Sequence, residues 1–171
     1  MVKIGTEELP LERLDRPRLQ LVLQHWQALR GGRAMPARRE IDPVALEGAL
    51  GIVMIARYEP ERDDFRFSLF GSEVATSQRI DYTHRLASEL EPKVYAELVL
   101  KSYRQVRATG LPYYGRLSIG GDRELVSYYR LVLPLGNDGA HVDAVVVASD
   151  HEKAFWQTLY DEERERGGQA G

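Results

Sequence analysis

Three groups of side chains in this sequence are of types that do chemistry. Arg30, Arg33, Arg38 and Arg39 crowd around Gly31 and Gly32 in the run Leu29-Arg-Gly-Gly-Arg-Ala-Met-Pro-Ala-Arg-Arg. Guanidinium forks and glycine amides suit a phosphate or nucleotide-like anion. A plainer reading is preferred, in which arginines near a helix C-terminus bond its free carbonyls or pair with Glu40 and Asp42. The second group is tyrosine-rich. Tyr95, Leu98 and Ser102 on a central helix, with Tyr113, Tyr129 and Leu131 on the strands it should face, could form apolar walls with hydroxyl handles. The competing reading is that these residues simply fill the core. The four histidines, His25, His84, His141 and His151, are scattered and show no metal-ligand spacing.

What is missing narrows the chemistry further. There is no cysteine, which removes disulfides, thiolate catalysis and Cys-based metal sites. The string Gly120-Gly121-Asp122-Arg123-Glu124 looks like the Gly-Gly-acid-Glu-Phe turn of diguanylate cyclases, but Arg123 stands where a second acid belongs and would repel a metal. A hairpin turn explains its glycines. A net charge of -3 offers nucleic acid no general attraction, so no nucleic-acid partner is expected. With Glu7, Glu8, Glu12 and Asp15 breaking the first residues, neither a signal peptide nor a membrane span is expected, and a cytoplasmic location follows as an expectation.

The elements that must position these residues follow from periodicity. Leu19, Val22, Leu23, Trp26 and Leu29 fall at helical spacing over 17–30, with Trp26 as the bulky anchor. Gly31 and Gly32 end that helix, and Asp42-Pro43 should open a short helical turn reaching Leu50. Ile52 to Tyr58 and Phe65 to Leu69 then read as a hairpin, and 71–90 as small helices and loops. Glu91-Pro92 starts the central helix, which Gly110 and Pro112 stop. Three strands follow, at 113–119, 124–133 and 142–149. Both faces of the later strands are apolar, so the sheet needs a cover on each side, and the Trp26 helix is the favoured lid. A final helix is expected from Ser149, capped by its hydroxyl with Glu152 reaching back. The charged end from Asp161 should fray.

The joint, taken with this order of elements, resembles the PAS domain, and in particular small stand-alone bacterial PAS proteins. The residues that carry the likeness are Trp26, Leu29 to Arg33, Met35-Pro36, Arg38-Arg39 and Ile41 to Pro43, then Phe67 to Gly71, Asp81 to Leu90, Gly110 to Pro112 and Leu133-Pro134-Leu135. One position departs from the pattern, because His84 stands in Asp81-Tyr82-Thr83-His84-Arg85 where such domains often carry glycine. A left-handed backbone is less comfortable there, and the loop is expected to differ. The resemblance implies an α+β fold, a PAS-like five-stranded antiparallel sheet with helices on one face and flanking N- and C-terminal helices. It divides the chain into a helical cap and joint (1–51), a PAS-like core (52–149), and a C-terminal helix with a mobile tail (150–171).

The same resemblance implies a non-enzymatic sensory or adaptor module in signalling. It would bind a small molecule between central helix and sheet, and act through a signalling partner of unknown identity or as a homodimer through the N-terminal helix. Trp26 and the four joint arginines are the candidate interface. No cofactor is expected, since a light-sensing flavin adduct needs a cysteine and the run 92–109 has no histidine for haem. Two alternatives stand beside it. One is a small α+β enzyme using the tyrosines and His84 as acid and base, and the other is a purely structural interaction domain with a filled core.

Overall fold

The structure, a computed structural model, describes residues 3–120, 126–151 and 154–168. Its centre is one antiparallel sheet of six strands in the order β1-β4-β5-β6-β2-β3. The strands are β1 (Lys3–Glu8), β2 (Val53–Glu59), β3 (Asp64–Phe70), β4 (Tyr113–Gly120), β5 (Val126–Leu135) and β6 (Ala144–His151). Among the described residues four α-helices accompany them: α1 (Pro17–Arg30), α2 (Ser72–Gln78), α3 (Lys93–Thr109) and α4 (Ala154–Gly168). Among the described residues no helix is long and apolar enough to cross a membrane.

The two apolar faces of β5 and β6 are covered from opposite sides. Helix α1 buries Leu19, Val22 and Trp26, and the Trp26 indole Nε1–H donates to the carbonyl of Pro134 on β5 at 2.8 Å. Helix α3 lies on the other face and buries Tyr95, Ala96, Val99, Leu100, Tyr103 and Val106, each fully enclosed large apolar side chain contributing about 1.5–3 kcal/mol. Helix α4 joins α3 on that side, where Trp156 meets Tyr95 edge to face at 4.8 Å and Phe155 stacks on Tyr128. Helices α1 and α3 end where glycine permits a positive φ, α1 at Gly31 (55°) and α3 at Gly110 (67°).

Several expectations need correction. The first fifty residues are more than a helical cap, because 3–8 form a strand that pairs with β4 and makes a sixth at the sheet edge. After Asp42-Pro43 the short helical turn expected there takes the form of i→i+3 turns over 43–49 and a 3₁₀ segment (Leu50–Ile52), with Asp42 Oδ1 accepting from the Val44 N–H at 2.9 Å. Ser149 is no helix cap: β6 runs through it to His151, and its hydroxyl bonds the Tyr128 phenol. Glu152, its expected partner, and 121–124 of the glycine turn lie outside the described residues. Helix α4 continues to Gly168, through charges expected to fray. His84 does adopt a left-handed backbone, φ 69°, held by its N–H to Phe67 O at 2.7 Å and by Arg66 Nη1–H to His84 O at 2.8 Å.

Candidate functional site

Strand alternation decides which tyrosines meet. Tyr128, Arg130 and Val132 of β5 face α3, whereas Tyr129 and Leu131 face the α1 side, where the Arg16 guanidinium lies 3.7 Å from the Tyr129 ring centre. Tyr95 therefore pairs with Tyr128, phenol to phenol at 3.0 Å, and not with Tyr129. Tyr129 and Leu131 are thus taken away from the expected pocket. A period of two separates the faces of a strand but does not say which face a given helix covers.

What remains on the α3 face surrounds a cavity of ≈ 130 Å³ between α3 and the β1–β4–β5 edge. Leu98, Lys101, Ser102 and Gln105 line it as one stripe of α3, at the spacing that puts four side chains on a single helical face. Tyr113 lines it from β4, Arg130 from β5, and Thr6 and Glu8 from β1. Of the six residues expected here, Leu98, Ser102 and Tyr113 line the cavity, and Tyr95 is sealed in the aromatic cluster against Tyr128 and Trp156.

The cavity has a backbone cause. Gly115 of β4 is the cross-strand partner of Glu8 on one side and of Arg130 on the other. Registered neighbours share a face, so Glu8, Gly115 and Arg130 form one row with no side chain at its middle. The Tyr113 phenol folds over that gap, where a Cβ on Gly115 would collide with it.

Arg130 is the unusual member of the row. It is only 6% exposed, makes no ion pair among the described residues, and leaves Nε and Nη1 without a hydrogen-bond partner. Its Nη2–H reaches Leu98 O at a long 3.4 Å. Arginine does not shed its proton in proteins, so this is a buried cation with no counter-ion among the described residues. Glu8 stands across the gap but is exposed, and its Oε1 accepts from Gln105 Nε2–H at 3.1 Å instead. Arg130 belongs to none of the three groups that residue type and spacing single out. Its signal was there, an arginine set among apolar residues in a strand with two apolar faces.

Two buried phenols of α3 hold their protons tightly. Burial pushes Tyr95 well above the usual tyrosine value, with the neighbouring Tyr128 adding to it, and burial raises Tyr103 as well. His84 sits exposed in a loop pinned to β3, the sheet edge opposite β1, so it does not meet the tyrosines of the cavity. Among the described residues no group of three or more His, Asp or Glu side chains is placed to hold a metal.

The joint arginines are tied down unequally. Arg33 donates to the carbonyls of Leu29 and Arg30 and grips Glu40 with both terminal nitrogens, at 2.8 and 3.0 Å. That fork, helped by the Ala37 N–H, holds the Glu40 carboxyl down at about 2. Arg30 lies 5.3 Å from the Trp26 ring centre and bonds Arg33 O at 3.4 Å. Arg38 and Arg39 make no side-chain hydrogen bond or ion pair among the described residues. Trp26 is 3% exposed and belongs to the core, so it offers no surface to a second molecule.

Comparison with known proteins agrees with the architecture. No curated protein matches the chain. The family profile described as PAS domain matches residues 14–145, which takes in α1, five of the six strands in whole or part, and α3. With the matched stretch covering most of its length and the sheet antiparallel throughout, the chain belongs to the PAS domain family, whose members in general are sensory and interaction modules.

Proposed function

We propose that this protein is a non-enzymatic sensory module of bacterial signalling that takes a small molecule into the cavity under α3 and passes its state to a partner through α1. The observation that carries this reading is the cavity itself. A core that needed only to be filled would have no reason to set an arginine with no ion pair among the described residues in the wall of a cleft whose rim, at Thr6, Glu8 and Lys101, is exposed. The enzyme alternative is weaker, because His84 sits in a loop pinned to β3 while the tyrosine that lines the cavity, Tyr113, is on β4, with three strands between them.

A physical link joins cavity to helix. Thr6 and Glu8 line the cavity from β1, and the chain runs from that strand through the 3₁₀ turn Leu11–Arg13 directly into α1. A ligand that steadies β1 favours one seating of α1, a shift of populations. The partner surface, in this reading, is the exposed side of the joint, where Arg38 and Arg39 make no ion pair among the described residues and Val44 is 78% exposed. The module works in the cytoplasm without haem or a flavin adduct.

Native mass spectrometry of freshly purified protein tests the reading. A small-molecule adduct is expected on the folded chain, lost on denaturation and absent from a Leu98→Trp variant that plugs the cavity. A bare chain that also takes up nothing from a metabolite extract would sink the sensor and favour a structural interaction domain.

A further inference from the structure

We infer that the cavity is a carboxylate site, built to hold a short-chain monocarboxylate with its charged end on Arg130. The inference rests on the sensory reading above and gives its ligand a chemical class. Three observations carry it. Arg130 is nine-tenths buried, lines the cavity and has two N–H groups unpartnered, and no carboxylate of the described residues pairs with it. A buried charge without a counter-charge is strongly destabilising, and an anion entering from outside supplies the missing partner and acceptors together. Arginine forks match the planar carboxylate in two-point fashion.

Size and surrounding charge select among anions. A volume of ≈ 130 Å³ is well below that of a drug-sized site, so the ligand is small. Leu98 and Tyr113 give apolar wall for a short hydrocarbon tail. Lys101 and Arg130 contribute two positive charges and Glu8 one negative, which balances a single negative charge on the ligand. Glu8 sits across the Gly115 gap from Arg130, so a second negative charge at the far end of the ligand would face it. Phosphate dianion and dicarboxylates are disfavoured for that reason.

The test is a titration of the full chain at constant ionic strength, followed by amide NMR and calorimetry. The probes are sodium propionate, the neutral isostere propionamide, sodium succinate, inorganic phosphate, and sodium chloride as the adventitious-ion control. Propionate is expected to saturate and to shift resonances of β1, β4 and α3, with propionamide, which lacks the charge-assisted bond, and succinate and phosphate dianion, whose second charge faces Glu8, each about 10- to 100-fold weaker. Arg130→Met should lose the propionate response while melting at an equal or higher temperature, because an unpaired buried cation has been replaced by an apolar side chain. Leu98→Trp, which leaves Arg130 in place, should also lose binding and guards against a misfolded Arg130→Met. Equal affinity for propionamide, an unchanged response in Arg130→Met, or a response to chloride as strong as to propionate would each overturn the carboxylate assignment. So would silence toward every probe. In all four cases the sensory reading is decided separately, by whether the native mass spectrum shows some other adduct.

Discussion

Replacing Trp26 by alanine probes the seating of α1, the step by which the cavity would be read out. The indole is 3% exposed and its Nε1–H is spent on Pro134 O at 2.8 Å. Truncation removes a large apolar side chain, opens a void between α1 and β5, and strips that carbonyl of its donor. Large aromatic-to-alanine changes in packed cores cost about 3–5 kcal/mol, and the lost hydrogen bond places this one in the upper half of that range. For a domain of this size the melting temperature should fall by about 10 °C. Trp26→Phe separates the parts: it keeps most of the packing and loses the bond, so a smaller loss of about 1–2 kcal/mol is expected. Guanidinium unfolding followed by circular dichroism measures both, with Trp156 as a fluorescent reporter of the α4 side. An alanine variant within about 1 kcal/mol of the parent, well short of the expected cost, would show that α1 is not packed as described and would remove the route from cavity to surface.

Further outcomes follow from other sites. His84→Gly should raise stability by about 1 kcal/mol, since glycine relieves a left-handed backbone at a side chain with no hydrogen bond to the described residues; a lower melting temperature would contradict this. Glu40 has its folded pKa depressed to about 2 against an ordinary 4.5, so its contribution is complete above pH 4.5 and is lost as pH falls toward 2. Glu40→Gln should therefore flatten part of the acid limb of melting temperature against pH, and an unchanged limb would count against the Arg33 fork. Gly115→Ala should drive the Tyr113 ring toward the cavity, visible as shifted Tyr113 ring resonances and weakened ligand uptake with the fold retained. Unmoved resonances would refute the crowding argument.

Much of this architecture could be read from local chemistry. Helix α1 announces itself by apolar spacing and the glycine pair, and α3 by Pro92 at one end and Gly110 at the other, because these devices act within a few residues. Strand β1 carried no such mark. Lys3-Ile-Gly-Thr-Glu-Glu is a polar edge strand, and charged side chains at an edge are what keep it from pairing with other molecules, at the expense of an apolar alternation. Ser149 imitates a helix cap because a capping pattern costs nothing to a strand that happens to contain it. The site was legible in part. Leu98 and Ser102 lie on a helix whose buried stripe is readable, but Arg130 and the Gly115 gap depend on the register of three strands, which only long-range pairing sets.

A crystal structure of the protein purified at neutral pH, without any refolding step, tests the central claim most directly. The account predicts a small molecule lying over Gly115 within hydrogen-bond distance of the Arg130 guanidinium, roofed by Leu98 and Ser102. A cavity closed by its own side chains, or Arg130 paired with a carboxylate of the chain itself, would contradict it.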